Sequence, residues 1–360
     1  MPVFSSFLRS ALKVLTFKTR TTPLARSGKA TTAMAVKDLW PLWIRDYKKL
    51  RAWTDKQAFQ RRLSLGEKYI FPIIGSFKPN QITTDDVVAC LKLSIANTTQ
   101  THWKVLVSLS QFLRWCNANH LYDTDKKLPT DLELVEPYLG MELHKEGGHH
   151  PAIDWRDVPQ FVSLLVQETS ISSKALLFVI LTVSRFQSVG NAQWDEINLT
   201  QSEWHIPATH MKGKQGHNRP HDVPLSNQAL DLLHSLRNFP KSNGSGLIFT
   251  ASGRQLSSTA LRKVIRKMDK LAINKGLPGF RDSSQRNRIA VTHGFRAAFT
   301  TWAQETGADM TVVVEYCLAH RDSADKHNGA YRRGRLIHQR RKLLQLWANY
   351  CFPAKATDRL

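Results

Sequence analysis

Residues 175–185 read Ala-Leu-Leu-Phe-Val-Ile-Leu-Thr-Val-Ser-Arg, an apolar run to Leu181 that Thr182 and Ser184 break before it ends on a cation. The run from Ala175 to Leu181 falls far short of the ~18 apolar residues a membrane span requires. It therefore reads as a helix buried in a soluble core. Arg185 follows directly, and a guanidinium at the end of a buried helix needs an anionic partner, because an uncompensated buried charge is costly. One segment thus sets two expectations: a helical core here, and an anion beside it.

Downstream, Glu203-Trp204-His205-Ile206-Pro207 and Asp222-Val223-Pro224-Leu225 are short β-suited runs flanking a loop rich in Gly, Lys and His, and they predict a hairpin. Lys212 sits in that loop, in Met211-Lys212-Gly213-Lys214, where a tip can reach into a groove. Helices are predicted from Ser226, from Ser257, around Phe295 to Trp302, and around Val312 to Leu318. His293 and Arg296 stand three apart in Thr292-His293-Gly294-Phe295-Arg296, so a helix places them on one face, with Thr292 as its cap. His320 closes the next helix, and Tyr331 lies eleven residues later beside Arg332 and Arg333. Tyr316 falls inside a helix, and Tyr350 continues an apolar stripe through Leu336, Leu343 and Trp347. Tyr331, after Asn328-Gly329 and beside two arginines, is the one of the three in a cationic setting outside a predicted helix.

Upstream, residues 124–150 have linker composition, with Pro129, Pro137, Gly147, Gly148 and the pair His149 and His150. Before them, Leu39, Trp40, Trp43 and Tyr47 recur at helical spacing, as do Val105, Leu109, Phe112, Leu113 and Cys116. Thr83 and Asp86 mark a helix start as a capping box. The expectation is a bundle of about four helices over 37–123, with Lys48, Lys49, Arg51, Lys56, Arg61, Arg62, Lys68 and Lys104 as a basic surface. The first acid of the chain is Asp38, while Arg9, Lys13, Lys18, Arg20, Arg26, Lys29 and Lys37 precede it. That stretch, residues 1–36, has three readings: a flexible basic arm, a start properly placed at Met34, or a transit peptide.

Over 360 residues, 51 Lys and Arg against 29 Asp and Glu give a formal charge of +22, which calls for a polyanionic partner. At 42% hydrophobic residues, wholesale disorder is excluded. Cys90, Cys116, Cys317 and Cys351 lie far apart without a C-x-x-C pair, which fits a reducing compartment and neither a disulfide framework nor a cysteine zinc site. His205, His210, His217 and His221 crowd the hairpin with no acid between Glu203 and Asp222, a set better suited to phosphate than to zinc. The segment Arg281 to Arg288 has the composition of a DNA-facing loop or of disorder. No nucleophile elbow, phosphate-cradling glycine loop or metal-spaced carboxylate set is present in the sequence.

Five segments in order, LTVSRFQSVGNAQWDEINL, EWHIPATHMKGKQGHNRPHDVPLS, THGFRAAF, CLAH and GAYRR, resemble those of the tyrosine recombinases, the phage integrase family, and especially the integrases of satellite phages and genomic islands. The resemblance covers roughly Val36 to Tyr350. It implies a mainly α fold with a small antiparallel β-sheet: a helical core-binding, DNA-contacting domain (37–123), a linker (124–150), a catalytic domain (151–350) and a tail (351–360).

The implied activity is site-specific recombination, cleaving and rejoining DNA through a 3′-phosphotyrosine to integrate or excise a mobile element. The implied catalytic set is Arg185, Lys212, His293, Arg296, His320 and Tyr331. The arginines would clamp nonbridging oxygens bidentately, and His320 would add a hydrogen bond. Lys212 would protonate the leaving 5′ oxygen, His293 would move the proton of Tyr331, and Tyr331 would attack. No cofactor and no metal is expected. The expected partners are double-stranded DNA at attachment sites and a homotetramer of this chain on two paired sites. An accessory DNA-bending or excision protein is an open partner, no membrane is expected, and the location would be cytoplasmic and nucleoid-associated.

Two rival readings share these residues, a type IB topoisomerase and a decayed DNA-binding regulator. One position departs from the family pattern: Ser188 stands where a Glu commonly follows the first arginine by three, while Trp194 and Asp195-Glu196 are in place. That departure bears on rate more than on reaction type. If the missing support limits the rate, Ser188→Glu speeds cleavage.

Overall fold

The computed structural model describes residues 34–51, 58–95, 101–122, 127–141, 143, 149–211, 219–237, 246–251, 253–308, 311–319 and 335–352. They fall into two compact units, one within Met1–Gly147 and the other within Gly148–Leu360.

The first unit is helical. Helix α1 (Val36–Arg51) buries Val36, Leu39, Trp40, Trp43 and Ile44, the stripe its periodicity predicts. Helix α2 (Ala58–Tyr69) crosses it at Gly66, where an added Cβ would meet Trp40 Nε1 at 2.8 Å. A short turn α3 (Phe71–Ile74) follows. Helix α4 (Thr84–Ile95) opens on the expected capping box: Thr83 N–H donates to Asp86 (2.9 Å), and Asp86 N–H donates to the Thr83 hydroxyl (3.3 Å). Helix α5 (Thr101–Ala118) supplies Val105, Leu109, Phe112, Leu113 and Cys116 to the core.

The stretch read as linker holds a further helix, α6 (Leu132–Leu139), packed on α4 through the buried Val135 and ended by Gly140 at φ +63°. Pro129 and Pro137 drew the linker reading, but Pro137 is tolerated near the end of so short a helix. Arg62, expected on a basic face, is partly a packing residue. Its guanidinium lies over the rings of Trp43 (5.1 Å) and Tyr47 (4.5 Å) and donates to Gln111 (3.0 Å).

The second unit is built around one buried helix. Helix α7 (Val158–Leu165) precedes α8 (Ile171–Thr182), which Ser170 caps by accepting from Ser173 N–H (3.1 Å). Every residue from Ala175 to Thr182 is buried, so α8 is covered on all sides. Helix α9 (Phe186–Gly190) leads to a three-stranded antiparallel sheet of β1 (Ile197–Asn198), β2 (Glu203–Ile206) and β3 (His221–Pro224), in that order. Trp204 pairs with Ile197 and Val223 and packs its ring on Phe178 of α8 (5.3 Å), while His205 faces outward, the alternation a one-sided sheet requires.

Helix α10 (Asn227–Arg237), the hairpin β4 (Thr250–Ala251) and β5 (Arg254–Gln255), and α11 (Ser258–Asn274) follow. A second hairpin, β6 (Arg281–Asp282) and β7 (Arg288–Ile289), occupies the segment whose composition suggested a DNA-facing loop or disorder. Arg281 there donates through Nε and Nη2 to the buried Asp269 (3.2 and 3.0 Å), so it is held by the fold. The unit closes with α12 (Gly294–Glu305), α13 (Thr311–Cys317) and α14 (Ile337–Cys351). Trp347 Nε1 donates to the carbonyl of Ile180 (2.9 Å), which docks α14 on α8. No helix among the described residues is long and apolar enough to cross a membrane.

Candidate active site

The site begins where α8 stops. Val183 takes a left-handed conformation (φ +53°, ψ +21°) that a β-branched residue adopts only at a cost of ~1–2 kcal/mol. The reversal aims the Val183 carbonyl at α12 and returns the chain to extended geometry at Arg185 (φ −70°, ψ 141°). Arg296, only 5% exposed, donates Nη1 to that carbonyl and Nη2 to the carbonyl of Leu318 (2.6 Å). One guanidinium therefore joins the end of α8 to the end of α13, two residues before His320.

The side chain of Arg185 is half-buried and its guanidinium makes no hydrogen bond or ion pair among the described residues. Burial lowers its pKa, and Arg296 is pushed down to about 9, first by burial and then by the charge of Arg185. Two guanidiniums thus repel one another at the edge of the core. An anion bridging them would relieve both the repulsion and the desolvation.

His293 is exposed at the N-terminus of α12, one turn before Arg296. Its ring meets His150 edge-on at 4.9 Å. The expected Thr292 cap is absent: His293 itself holds the cap position and makes no side-chain cap, and the entry turn is closed by Gly294 N–H donating to Val291 O (2.8 Å). Gly294 is required because a Cβ there would meet Pro151 O at 2.3 Å. The Pro151–Ala152 backbone crosses the helix start at that point and brings His150 to His293. Sequence reasoning placed His150 in a linker; its only signal was the His-His-Pro run.

The hairpin histidines are engaged one by one. His205 Nδ1 lies 2.5 Å from Asp222, whose other oxygen accepts from Arg335. His210 Nδ1 lies 2.7 Å from Glu196, which also accepts from Trp204 Nε1 (2.9 Å). His221 Nε2 faces Arg340 Nη2 (3.2 Å), and burial together with the Arg340 charge drives its pKa down to about 3, so the ring is neutral. These contacts tie Nδ1 of His205 and of His210 and Nε2 of His221 to the fold. His217 lies outside the described residues, and among those described no group of three His, Cys, Asp or Glu could hold a metal ion.

Ser188, in place of the family's acid, is buried and donates its hydroxyl to the carbonyl of His210 (3.2 Å), two residues before Lys212. Tyr350 donates its hydroxyl to Trp155 O (3.1 Å) among stacked Trp302 and Trp347, which makes it a packing residue. Of the expected set, Arg185, His293 and Arg296 are thus placed in one unit, with Arg185 and Arg296 close enough to perturb each other. Lys212, His320 and Tyr331 lie outside the described residues, as do Arg332, Arg333 and the basic stretch 1–33.

One unit thus joins a buried helix followed by Arg185, a three-stranded sheet and a helix start that carries His293 and Arg296 three residues apart. Residues 153–332 match the phage integrase family, and residues 37–132 match the phage integrase central domain. The chain belongs to the phage integrase family, the tyrosine recombinases.

Among curated relatives, it is 26% identical over 300 residues to the prophage integrase IntZ of Escherichia coli (strain K12), covering 82% of this chain and 66% of that one. It is 23% identical over 314 residues to the integrase of Enterobacteria phage P4, covering 83% and 66%. The chain therefore spans just under two thirds of the length of these relatives. Solved structures share the fold at low identity. A lambda integrase tetramer bound to a Holliday junction aligns with TM-score 0.58 and 13% identity, over 89% of this chain and 88% of that one. The Tn1549 transposon integrase with transposon right end DNA aligns with TM-score 0.61 and 11% identity, over 90% and 96%.

Proposed function

We propose that the chain is a site-specific DNA recombinase that cleaves and rejoins duplex DNA through a 3′-phosphotyrosine, integrating or excising a mobile element. The observation that carries this reading is Arg185: a half-buried guanidinium without a hydrogen bond or ion pair among the described residues, set beside the buried Arg296. Such a pair is a receptor for one phosphate, because the fork of Arg185 is open to its nonbridging oxygens and the charges of both guanidiniums offset the negative charge that develops in the transition state.

Tyr331 attacks the phosphorus, its proton passing to His293, and the 5′ oxygen leaves with a proton from Lys212. His320 donates to the phosphate beside the arginines. The phosphotyrosine conserves the phosphodiester bond energy, so rejoining to a new strand reverses the step without a nucleotide cofactor. The helical unit supplies a second DNA-contacting surface, and the +22 charge suits a partner that carries a phosphate at every nucleotide. Four protomers on two paired sites complete the exchange, in keeping with the Holliday-junction tetramer to which the fold is similar. An accessory DNA-bending or excision protein would set direction, and the work is done on cytoplasmic, nucleoid DNA.

Nicked suicide duplexes cut from the ends of the element that encodes the protein test this reading on a denaturing gel. A covalent adduct from the wild type, absent from Tyr331→Phe and mapped to a peptide containing Tyr331, is the expected result. Tight binding without an adduct from either protein would overturn it. Relaxation of supercoils on DNA lacking any such site would point to a topoisomerase.

A further inference from the structure

Arg340 lies in the first turn of α14 and is 2% exposed. Its Nη2 donates to the carbonyl of Asp222 (2.6 Å) and faces His221 Nε2 (3.2 Å), and its Nη1 donates to the carbonyl of Arg335 (3.4 Å). The side chain of Cys317 also hydrogen-bonds to it. Among the described residues its bonds run to carbonyls, a neutral imidazole and a thiol, while Asp222 and Glu203 act on it through space. A buried guanidinium held in this way is costly to desolvate, and an apolar side chain would escape that cost while leaving two carbonyls without their donor. Net stability therefore does not by itself account for it.

The partners themselves do. Asp222 and His221 open β3, the strand that leaves the loop carrying Lys212. Cys317 ends α13, three residues before His320, and Arg335 follows Tyr331 by four. Arg341, next in α14, grips the other side of the sheet by donating to Ser202 O (3.1 Å), Gln201 O (3.0 Å) and Glu203 (2.8 Å), so the helix that carries Arg340 is fixed to the strands. The planar, five-donor fork of arginine can reach several main-chain segments at once, which a lysine cannot.

We propose that Arg340 is a positioning residue for strand cleavage: one buried guanidinium that fixes, relative to one another, the chain ends from which Lys212, His320 and Tyr331 extend. This rests on the recombinase reading above. Arg340 touches no DNA and takes no proton. Its role is to hold the start of β3, the end of α13 and the approach to α14 to one geometry.

Arg340→Met and Arg340→Lys test the proposal in the full chain on suicide duplexes. Both are expected to bind the duplex with wild-type affinity and salt dependence while forming adduct at least tenfold more slowly, since binding does not need the three segments aligned. A duplex with a 5′-bridging sulfur, whose leaving atom needs no proton, separates positioning from loss of the acid alone. It should restore Lys212→Ala nearly fully and the Arg340 variants only in part. If Arg340→Met melts early, His221→Asn removes one bond of the hub while leaving the cation, and should slow the adduct severalfold. Wild-type adduct rates in folded Arg340→Met, or losses that track binding, would overturn the proposal alone. An inactive wild type would overturn the recombinase reading and the proposal with it.

Discussion

Two buried arginines organise the second unit, and they differ in what stands beside them. Arg296 donates to Val183 and Leu318 and faces a second cation, Arg185, whose guanidinium has no hydrogen bond or ion pair among the described residues. Arg340 donates to Asp222 and Arg335 and faces a neutral histidine, with the carboxylate of Asp222 nearby. The first corner carries surplus charge at its mouth and is suited to receive an anion. The second is closed to solvent and bonded to the main chain, so it acts as a strut. Burial of a guanidinium by itself distinguishes neither; the neighbouring charge does.

The sharpest way to break this contrast is to remove each side of the first corner in turn. Arg185→Ala should cut adduct formation by about 10²–10³-fold, the usual loss for one donor to a developing oxyanion. Its melting temperature should hold or rise, because no hydrogen bond is lost and a repulsion is relieved. Arg296→Ala should lose adduct and stability together, since two buried carbonyls would be left without a donor at about 1–3 kcal/mol each. Equal destabilisation by the two variants in thermal melts would erase the distinction.

The second corner is open to a pH test through His221. Its folded pKa of about 3 lies below the ~6.5 of an unfolded histidine, so below pH 6.5 the unfolded chain binds a proton that the folded chain refuses. His221 therefore supports stability fully above pH 6.5, and that support is lost as pH falls toward 3, by up to about 1.4 kcal/mol per pH unit. Denaturant unfolding at pH 7, 6 and 5 should show a steeper loss in the wild type than in His221→Asn. Parallel profiles would mean the imidazole is not held neutral.

The smallest effect is expected at Ser188. A missing acid suggested that Ser188→Glu would speed cleavage, but the hydroxyl donates to His210 O, and a carboxylate has no proton to donate. A Glu there would lose that bond, so adduct formation should slow severalfold. Faster cleavage would restore the missing-support view.

Much of this was legible in the chain. The core stripes of α1 and α5, the capping box at Thr83, the hairpin arms and the buried helix ending at Arg185 all follow from local spacing, which depends on neighbours within a turn or a strand. The α6 helix was hidden because Pro and Gly composition speaks for a linker, while the decisive contact, Val135 on α4, is not local. Arg62 and Arg281 read as surface cations because sequence cannot show Trp43, Tyr47 and Asp269 folding back onto them.

The sequence by itself determined the family, the order of the two units and the identity of the residues proposed for chemistry, because motif spacing along helices and strands is a local property. Only the tertiary structure decided which cations are spent on the fold and which are left for a ligand. That division depends on burial and on partners far away in the chain: Arg296 reaches Val183 across more than a hundred residues and Arg340 reaches Asp222 likewise, whereas the Arg185 guanidinium makes no hydrogen bond or ion pair among the described residues. Desolvation makes an unmet charge costly, and which charge is met is fixed only when the chain closes on itself.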